Sequence, residues 1–376
     1  MSHDLRVQQH AGRAAFFIPG FAIASWAPLV PIVKSGTGLD DAMLGLVLLC
    51  LGTGALLAMP LAGAMTARQG CQRVLAASVL LIAAVLPLLV HVQTPWLLGV
   101  LLFFFGVGNG VMDCTMNIQA VMIERDSGKP MMSGFHAFYS IGGFVGVGAM
   151  AAMLSLGWPA AGASVLSALV LLGVALFYGR HWRADRVEQT LPSLAWPKGS
   201  VMLIGALCFI TFLAEGAMLD WSAVFLNEVR AVEASHAGLG YATFAAAMTL
   251  ARLVGDRWVR KLGGARALVL GASGAFAGFL ITTLVPVWQL TLLGYVLIGL
   301  GCANVVPILF SLAGRQKSMS ANLAIPAVTT LGYAGVLAGP ALIGFVAHAT
   351  NLVAAFLAVG LAMLVVATAT RWLRFD

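Results

Sequence analysis

Twelve apolar stretches fill almost the whole of this 376-residue chain, and each is long enough to cross a lipid bilayer as a helix. The hydrocarbon core of a bilayer takes roughly 20 apolar residues of helix to cross. Only 9% of the residues are charged and 60% are hydrophobic, whereas soluble proteins carry about 25% charged residues. Because open strands leave backbone groups unpaired in lipid, the sequence predicts an all-α integral membrane protein with twelve transmembrane helices.

Short breaks that contain glycine, proline or polar residues separate most of the predicted spans. The twelve spans run over residues 13–33, 42–66, 72–92, 95–122, 134–155, 158–179, 201–227, 236–258, 265–285, 288–313, 321–348 and 352–373. A second crossing directly follows the first, so we expect the first span to be a retained helix and not a cleaved signal peptide. The five cysteines have no CxxC spacing, so neither disulfides nor a metal site is expected.

The basic residues predict the orientation of the helices. Nineteen of the 21 lysines and arginines, Arg186 and Arg252 among them, fall on one side of the predicted spans, and only Lys34 and Arg230 fall on the other. Basic loops stay in the cytoplasm, so both termini are expected to be cytoplasmic in the inner membrane of a bacterium. The asymmetry also explains the net charge of +7. We therefore expect the bilayer as the partner, no nucleic acid, and a monomer.

The chain divides into two similar halves. The longest polar stretch, residues 180–200, separates residues 1–179 from residues 201–376, and each part holds six predicted helices. The segment Gly106-Val-Gly-Asn-Gly in the fourth span is echoed by Gly299-Leu-Gly-Cys-Ala-Asn in the tenth. Superposing Gly70 on Gly263 aligns two basic loops, one after the second span and one after the eighth. Parallel six-helix repeats are a recognised transporter plan.

The first of these loops, residues 63–73, resembles the G-x-x-x-D-R-x-G-R-[KR] motif of the major facilitator superfamily, although Ala67 replaces the usual aspartate. In the second copy the acid stands earlier, as Asp256. With twelve spans in a 6+6 arrangement, the chain resembles that superfamily over nearly its full length. The resemblance implies two pseudo-symmetric six-helix bundles and a cytoplasmic gate that is closed by ion pairs. We assign this gate to Arg68, Arg73, Asp256, Arg257 and Arg260.

Three acids lie within predicted spans: Asp113 in the fourth, and Glu215 and Asp220 in the seventh. An ionised group inside a membrane is costly, so such acids usually face a water-filled cavity or a partner. Asp113 and Glu215 are therefore predicted to be proton-coupling residues. A hydrogen-bonded contact between helices is the structural alternative for Asp113, and Asp220 suits either a substrate contact or a structural bond.

Polar residues at helical spacing mark candidate substrate contacts. Asn109, Asp113 and Asn117 follow one another at i, i+4 and i+8, so they form a ridge on one face of the fourth helix. The candidate substrate-binding residues are Asn109, Asn117, His136, Tyr139, Ser140, Trp26, Asp220 and Asn304. For His136 an interfacial position is an equally simple explanation, and Trp26 suits the core or the lipid face as well as a sugar ring.

The segment Asp113-Cys-Thr-Met-Asn117 resembles the acid-x-x-x-Asn element of the fucose permease group, which are proton-coupled sugar symporters. The resemblance implies that this carboxylate belongs to a proton and sugar pathway. His136 stands where that group has Gln, and Tyr139 where it has Asn. The first span has no acid, although the group carries a functional aspartate there.

The substrate class is constrained by charge. No lysine or arginine is predicted in the middle of a span, so we expect a neutral or cationic substrate, because an anion needs a buried cation.

The glycine-rich patterns lie inside apolar helices with no strand before them, so they predict helix packing and not nucleotide binding. We expect no cofactor. Proton symport of a small neutral, sugar-like solute is favoured. An exporter of cationic drugs or small amines is the alternative, and a non-transporting receptor or a membrane enzyme is less favoured.

Overall fold

The computed structural model describes residues 3–185 and 196–375 of the chain, and every regular element in these ranges is a helix. The helices are α1 His3–Trp26, α2 Val30–Thr37, α3 Asp41–Gln69, α4 Cys71–Leu88, α5 Pro95–Ser127, α6 Met132–Ser155, α7 Ala160–Tyr178, α8 Ser200–Val224, α9 Ala234–Ala237, α10 Leu239–Leu262, α11 Gly264–Leu284, α12 Trp288–Cys302, α13 Val305–Arg315, α14 Ala321–Ala349 and α15 Leu352–Ala369. The predicted all-α fold is confirmed. Arg186 and half of the predicted linker 180–200 lie outside the described residues.

All twelve predicted spans are helical in the structure. Three of them are interrupted: the first is divided into α1 and α2 by a 3-10 turn at Ala27–Leu29, the eighth into α9 and α10 at Gly238, and the tenth into α12 and α13 at Ala303 and Asn304. Pro28 lies in the first break, where its lack of a backbone N–H prevents a regular helix. Eleven helical segments in the described ranges are long and apolar enough to cross a membrane. Helix α10 is not apolar enough to be among them, because its second half contains several charged residues.

Two compact units make up the chain. Unit 1 comprises Met1–Gly128, Phe138–Trp196 and Ala321–Ala327. Within it, α5 packs along α3, α4 and α1. Glycines allow the closest approach: a Cβ at Gly106 would overlap the carbonyl oxygen of Leu51, and a Cβ at Gly110 would lie 2.6 Å from that of Ala55. These glycines of the fourth span form a helix-packing surface, as the sequence predicts.

Unit 2 comprises Lys129–Ala137, Pro197–Ser320 and Val328–Asp376. Within it, α12 packs along α10 and α11. A Cβ at Gly299 would lie 2.5 Å from the carbonyl oxygen of Phe244, so α10 and α12 touch backbone to backbone. The pairs α3–α5 and α10–α12 are thus built in the same way, each inside its own unit.

The two basic turns that the sequence aligns have the same backbone conformation. Gly70, between α3 and α4, has φ +82° and ψ 156°, and Gly263, between α10 and α11, has φ +81° and ψ 152°. Only glycine adopts such a φ without steric strain. Each glycine also donates its N–H to the carbonyl four residues earlier, at 2.8 Å and 2.9 Å respectively. The match supports the predicted internal duplication.

Candidate functional site

The structure sorts the predicted site residues into two groups by unit. The residues in unit 1 are Trp26, Arg68, Arg73, Asn109, Asp113, Asn117, Tyr139 and Ser140. The residues in unit 2 are His136, Glu215, Asp220, Asp256, Arg257, Arg260 and Asn304.

The polar ridge of α5 consists of Asn109, Asp113 and Asn117, all of them buried. The amide nitrogen of Asn109 donates to the carbonyl of Phe105 at 2.8 Å, and that of Asn117 donates to the backbone carbonyl of Asp113 at 2.9 Å. Because a carbonyl only accepts, these two bonds fix which side-chain atom is nitrogen. The amide oxygens of both asparagines are buried without a hydrogen-bond partner in the described ranges.

The side chain of Asp113 is 8% exposed, and it makes no hydrogen bond or ion pair with any residue that the structure describes. The ridge therefore presents oxygen acceptors whose donors are missing. A buried acceptor without a donor is unfavourable by about 1–3 kcal/mol. A proton on Asp113, or a ligand with hydroxyl or ammonium groups, would supply what the ridge lacks.

The other predicted residues of unit 1 have mixed surroundings. Trp26 is buried, so the lipid-facing alternative is excluded, while a core role stays open. Tyr139 and Ser140 are half-buried. A Cβ at Gly20 would overlap the carbonyl oxygen of Tyr139, so this part of α6 packs directly on α1.

A buried ion pair lies in unit 2. The Nη2 atom of Arg252 on α10 is 3.4 Å from the Oε1 atom of Glu215 on α8. The side chain of Arg252 is 7% exposed and that of Glu215 is 16% exposed. The Nε atom of Arg252 also donates to the carbonyl of Ala303 at 3.2 Å, at the break before α13. Glu215 therefore has a cationic partner, which the sequence analysis did not identify.

This pair corrects one inference from the sequence. The sequence places Arg252 among the cytoplasmic basic residues and predicts no lysine or arginine in the middle of a span. The structure places Arg252 in the middle of α10 and buries it within unit 2. Glu215, 37 positions earlier, makes this burial tolerable by compensating its charge. The argument that excluded anionic substrates no longer holds.

Asn304, just before α13, contacts the first turn of α6, and His136 on α6 contacts α13. The hydroxyl of Ser133 donates to the Oδ1 atom of Asn304 at 2.6 Å. The ring of His136 lies 5.9 Å from that of Phe310, and the imidazole interacts electrostatically with Arg252. Ser133 was missed by the sequence analysis, since its partner is 171 positions away and no local pattern marks it.

One contact of the predicted gate lies within unit 2, and the ion pairs of the gate stay a prediction. The Oδ2 atom of Asp256 accepts a hydrogen bond of 3.0 Å from the backbone N–H of Gly134, in the first turn of α6. Amides there have no partner inside the helix, and the positive end of the helix dipole attracts an acid. Asp256 therefore binds a helix N-terminus. The four gate arginines are exposed and make no hydrogen bond or ion pair with a described residue: Arg68, Arg73, Arg257 and Arg260.

Asp220 is exposed and makes no hydrogen bond or ion pair within the described ranges. Its predicted part in substrate binding stays a prediction. In the same part of the chain, no group of three or more His, Cys, Asp or Glu residues is placed to hold a metal ion.

The start of the predicted linker is docked on unit 1. The indole N–H of Trp182 donates to a backbone carbonyl of α1 at 2.9 Å, and the backbone N–H of Arg183 donates to the side chain of Gln119 at 2.9 Å. The guanidinium of Arg183 pairs with Asp126 and Asp185. Partial burial lowers the pKa of Arg183, but the hydrogen bonds to the two aspartates outweigh it and hold that pKa above its usual value.

Comparisons with known proteins agree with this architecture. The family model described as Major Facilitator Superfamily matches residues 14–322. An uncharacterized MFS-type transporter of Yersinia pestis is 47% identical over 365 residues, which cover 97% of this chain and 95% of the relative.

Two solved structures share the fold. The fucose:proton symporter FucP of E. coli superposes with a TM-score of 0.81 at 16% identity, covering 98% of this chain and 99% of that one. The human organic anion transporter MFSD10 superposes with a TM-score of 0.80 at 15% identity, covering 98% and 100%. At these identities the likeness concerns the fold alone.

Proposed function

Because the chain belongs to the major facilitator superfamily, whose members are membrane transporters and not enzymes, we propose that it carries a small polar, sugar-like solute together with a proton. Transport then proceeds by alternating access, with no cofactor. The proposal depends on one observation: the Asp113 carboxyl is buried on α5 without a partner in the described ranges, between two asparagine oxygens that also lack donors.

The proton is assigned to Asp113. An ionised carboxylate that is taken from water without a cation is strongly disfavoured, so burial on the ridge favours the neutral acid. A proton taken up from outside and released inside would couple solute movement to the membrane potential. Each charge that crosses supplies ~2.3 kcal/mol per 100 mV.

The solute is assigned by hydrogen-bonding complementarity. The ridge offers the oxygens of Asn109, Asp113 and Asn117, while both amide nitrogens are already bonded to α5 carbonyls. A polyhydroxylated solute supplies donors at several points. The fold shared with a fucose:proton symporter is compatible with such a substrate.

A second candidate is export of cationic drugs or small amines, and the same ridge favours it. An ammonium group has only donors, and a carboxylate flanked by two acceptors suits it. Expression would then raise resistance to the amine, with no substrate-dependent proton uptake alongside a sugar.

The proposed location is the cytoplasmic membrane of a bacterium, as a monomer with both termini inside. This rests on the distribution of 18 of the 21 basic residues to one side of the spans, since Arg252 lies buried within α10, and on the bacterial source of the similar transporter.

The test is proton flux in liposomes that contain the purified protein. A thermal-shift screen against sugars, nucleosides and amines first selects the solute. Solute addition should then alkalinise the outside medium for the wild type, and Asp113→Asn should abolish this signal while solute exchange persists. Asp126→Asn, on the same helix, serves as the matched control and should keep coupling. Full coupling in Asp113→Asn would refute the assignment.

A further inference from the structure

We propose that Arg252 binds a carboxylate of the transported solute, which replaces Glu215 as the partner of the guanidinium. The inference rests on the proposed transport function and narrows its solute to small hydroxylated organic acids, of which sugar acids are the type. Its basis is the buried ion pair of α8 and α10 in unit 2.

The geometry of the pair is poor for a permanent bond. A charge-assisted N–H···O bond is usually about 2.7–2.9 Å long, whereas the closest contact between Arg252 and Glu215 is 3.4 Å. Burying two charges is offset only when the geometry of the pair is good. A contact of this length neutralises the charge of Arg252. Little stabilisation is lost when another carboxylate takes the place of Glu215.

The guanidinium of Arg252 is anchored by a backbone carbonyl. Its Nε atom donates to the carbonyl of Ala303 at 3.2 Å, at the break between α12 and α13. This anchor keeps Arg252 in place whichever carboxylate it faces. A planar guanidinium held in this way is suited to bidentate recognition of a carboxylate, which a lysine cannot provide.

The open side of the pair belongs to Glu215. Its side chain is 16% exposed, against 7% for Arg252, so a solute reaches the pair past the glutamate. The displaced carboxylate can turn toward its exposed side. Arg252 stays buried throughout, and the exchange replaces one carboxylate partner by another.

A purely structural ion pair is the competing explanation, and solute pairs of matched skeleton separate the two. The probes are D-gluconate against D-glucitol, and D-glucuronate against D-glucose, at constant ionic strength with chloride as the non-carboxylate anion. Binding is measured by thermal shift and by titration calorimetry on the full chain in detergent. The acids should bind the wild type more tightly than their neutral counterparts do.

Variants then assign the site. Arg252→Gln should lose the preference for acids, and Arg252→Lys should retain only part of it. Glu215→Gln should bind the acids about tenfold more tightly, since the competing carboxylate is gone. Arg266→Gln and Glu228→Gln, which change exposed residues of the same charge types, should match the wild type.

Several results would overturn the inference. If neutral polyols bind and the acids do not, the transport proposal stands and the carboxylate site is wrong. The carboxylate site is also wrong if Arg252→Gln keeps its preference for acids, or if no acid binds at all. Should Arg252→Gln fail to fold, Glu215→Gln decides the matter, because an unchanged affinity for acids in that variant rejects the exchange.

Discussion

Asp113 and Glu215 are both buried acids, but only Glu215 faces a cation in the described ranges. Removing the charge of each should therefore have opposite effects. Glu215→Gln removes the carboxylate that faces the buried Arg252, and breaking a buried pair in this way costs about 3–5 kcal/mol. Asp113→Asn removes a group that has no partner to lose. We expect thermal unfolding in detergent at a lower Tm for Glu215→Gln, and at an unchanged or higher Tm for Asp113→Asn.

The exposed acid Glu228 provides the control for this comparison, since Glu228→Gln should leave Tm unchanged. Equal destabilisation by Glu215→Gln and Asp113→Asn would contradict the assigned surroundings. Addition of a hydroxylated acid should raise the Tm of Glu215→Gln by more than that of the wild type, because the acid no longer competes with Glu215 for the guanidinium of Arg252.

Gly106 tests the packing of α5 on α3. A Cβ at this position would overlap the backbone carbonyl of Leu51, which cannot move like a flexible side chain. Overpacking of this kind costs about 1–3 kcal/mol, so Gly106→Ala should lower Tm. Gly148→Ala is the matched control, because a Cβ at Gly148 on α6 meets nothing within 4 Å. Similar Tm values for the two variants would show that α3 and α5 are not in contact there.

At the scale of helices, the first turn of α6 is held by Asp256. A hydrogen bond to a charged acceptor contributes roughly 1.5–3 kcal/mol, so Asp256→Ala should speed amide hydrogen exchange at Gly134 and its neighbours by about ten- to a hundredfold. Mass spectrometry of peptides that cover Met132–His136 measures this. Arg257→Ala, one residue further on, should leave the exchange unchanged, since Arg257 has no partner in the described ranges. Faster exchange in both variants would contradict the assignment of the effect to the contact between Asp256 and Gly134.

Features of the fold could be predicted where residues that are neighbours in the sequence determine them. Helix spans depend on apolar residues that are neighbours in sequence, so all twelve were found. The turn at Gly70 and Gly263 also has a local cause, a φ that favours glycine. The burial of Arg252 does not, because it depends on Glu215, 37 positions away. Sequence position alone makes Arg252 look like one more cytoplasmic arginine.

The candidate site was predicted in part for the same reason. Asn109, Asp113 and Asn117 share one helix, so their spacing alone places them on one ridge. The contact of Ser133 with Asn304 and that of Gly134 with Asp256 join segments more than 100 positions apart. Charge patterns predict ion pairs for Asp256, whereas its contact with Gly134 is to a backbone amide, which no pattern of side chains can reveal.

For the whole molecule, the basic residues predict the orientation in the membrane, and two glycines allow a matched test. Gly38, between α2 and α3, and Gly128, between α5 and α6, have φ of +67° and +64°, and a Cβ at either would meet nothing within 4 Å. The loop at Gly38 follows Lys34, one of the two basic residues on the minority side, whereas Gly128 is flanked by Arg125 and Lys129. Basic loops stay in the cytoplasm.

Alkaline phosphatase fused after Gly38 should therefore be active, and the same enzyme fused after Gly128 should be inactive. A green fluorescent protein at the C-terminus should fluoresce, because an even number of crossings returns the chain to the cytoplasm. Activity after Gly128 with none after Gly38 would contradict the predicted orientation.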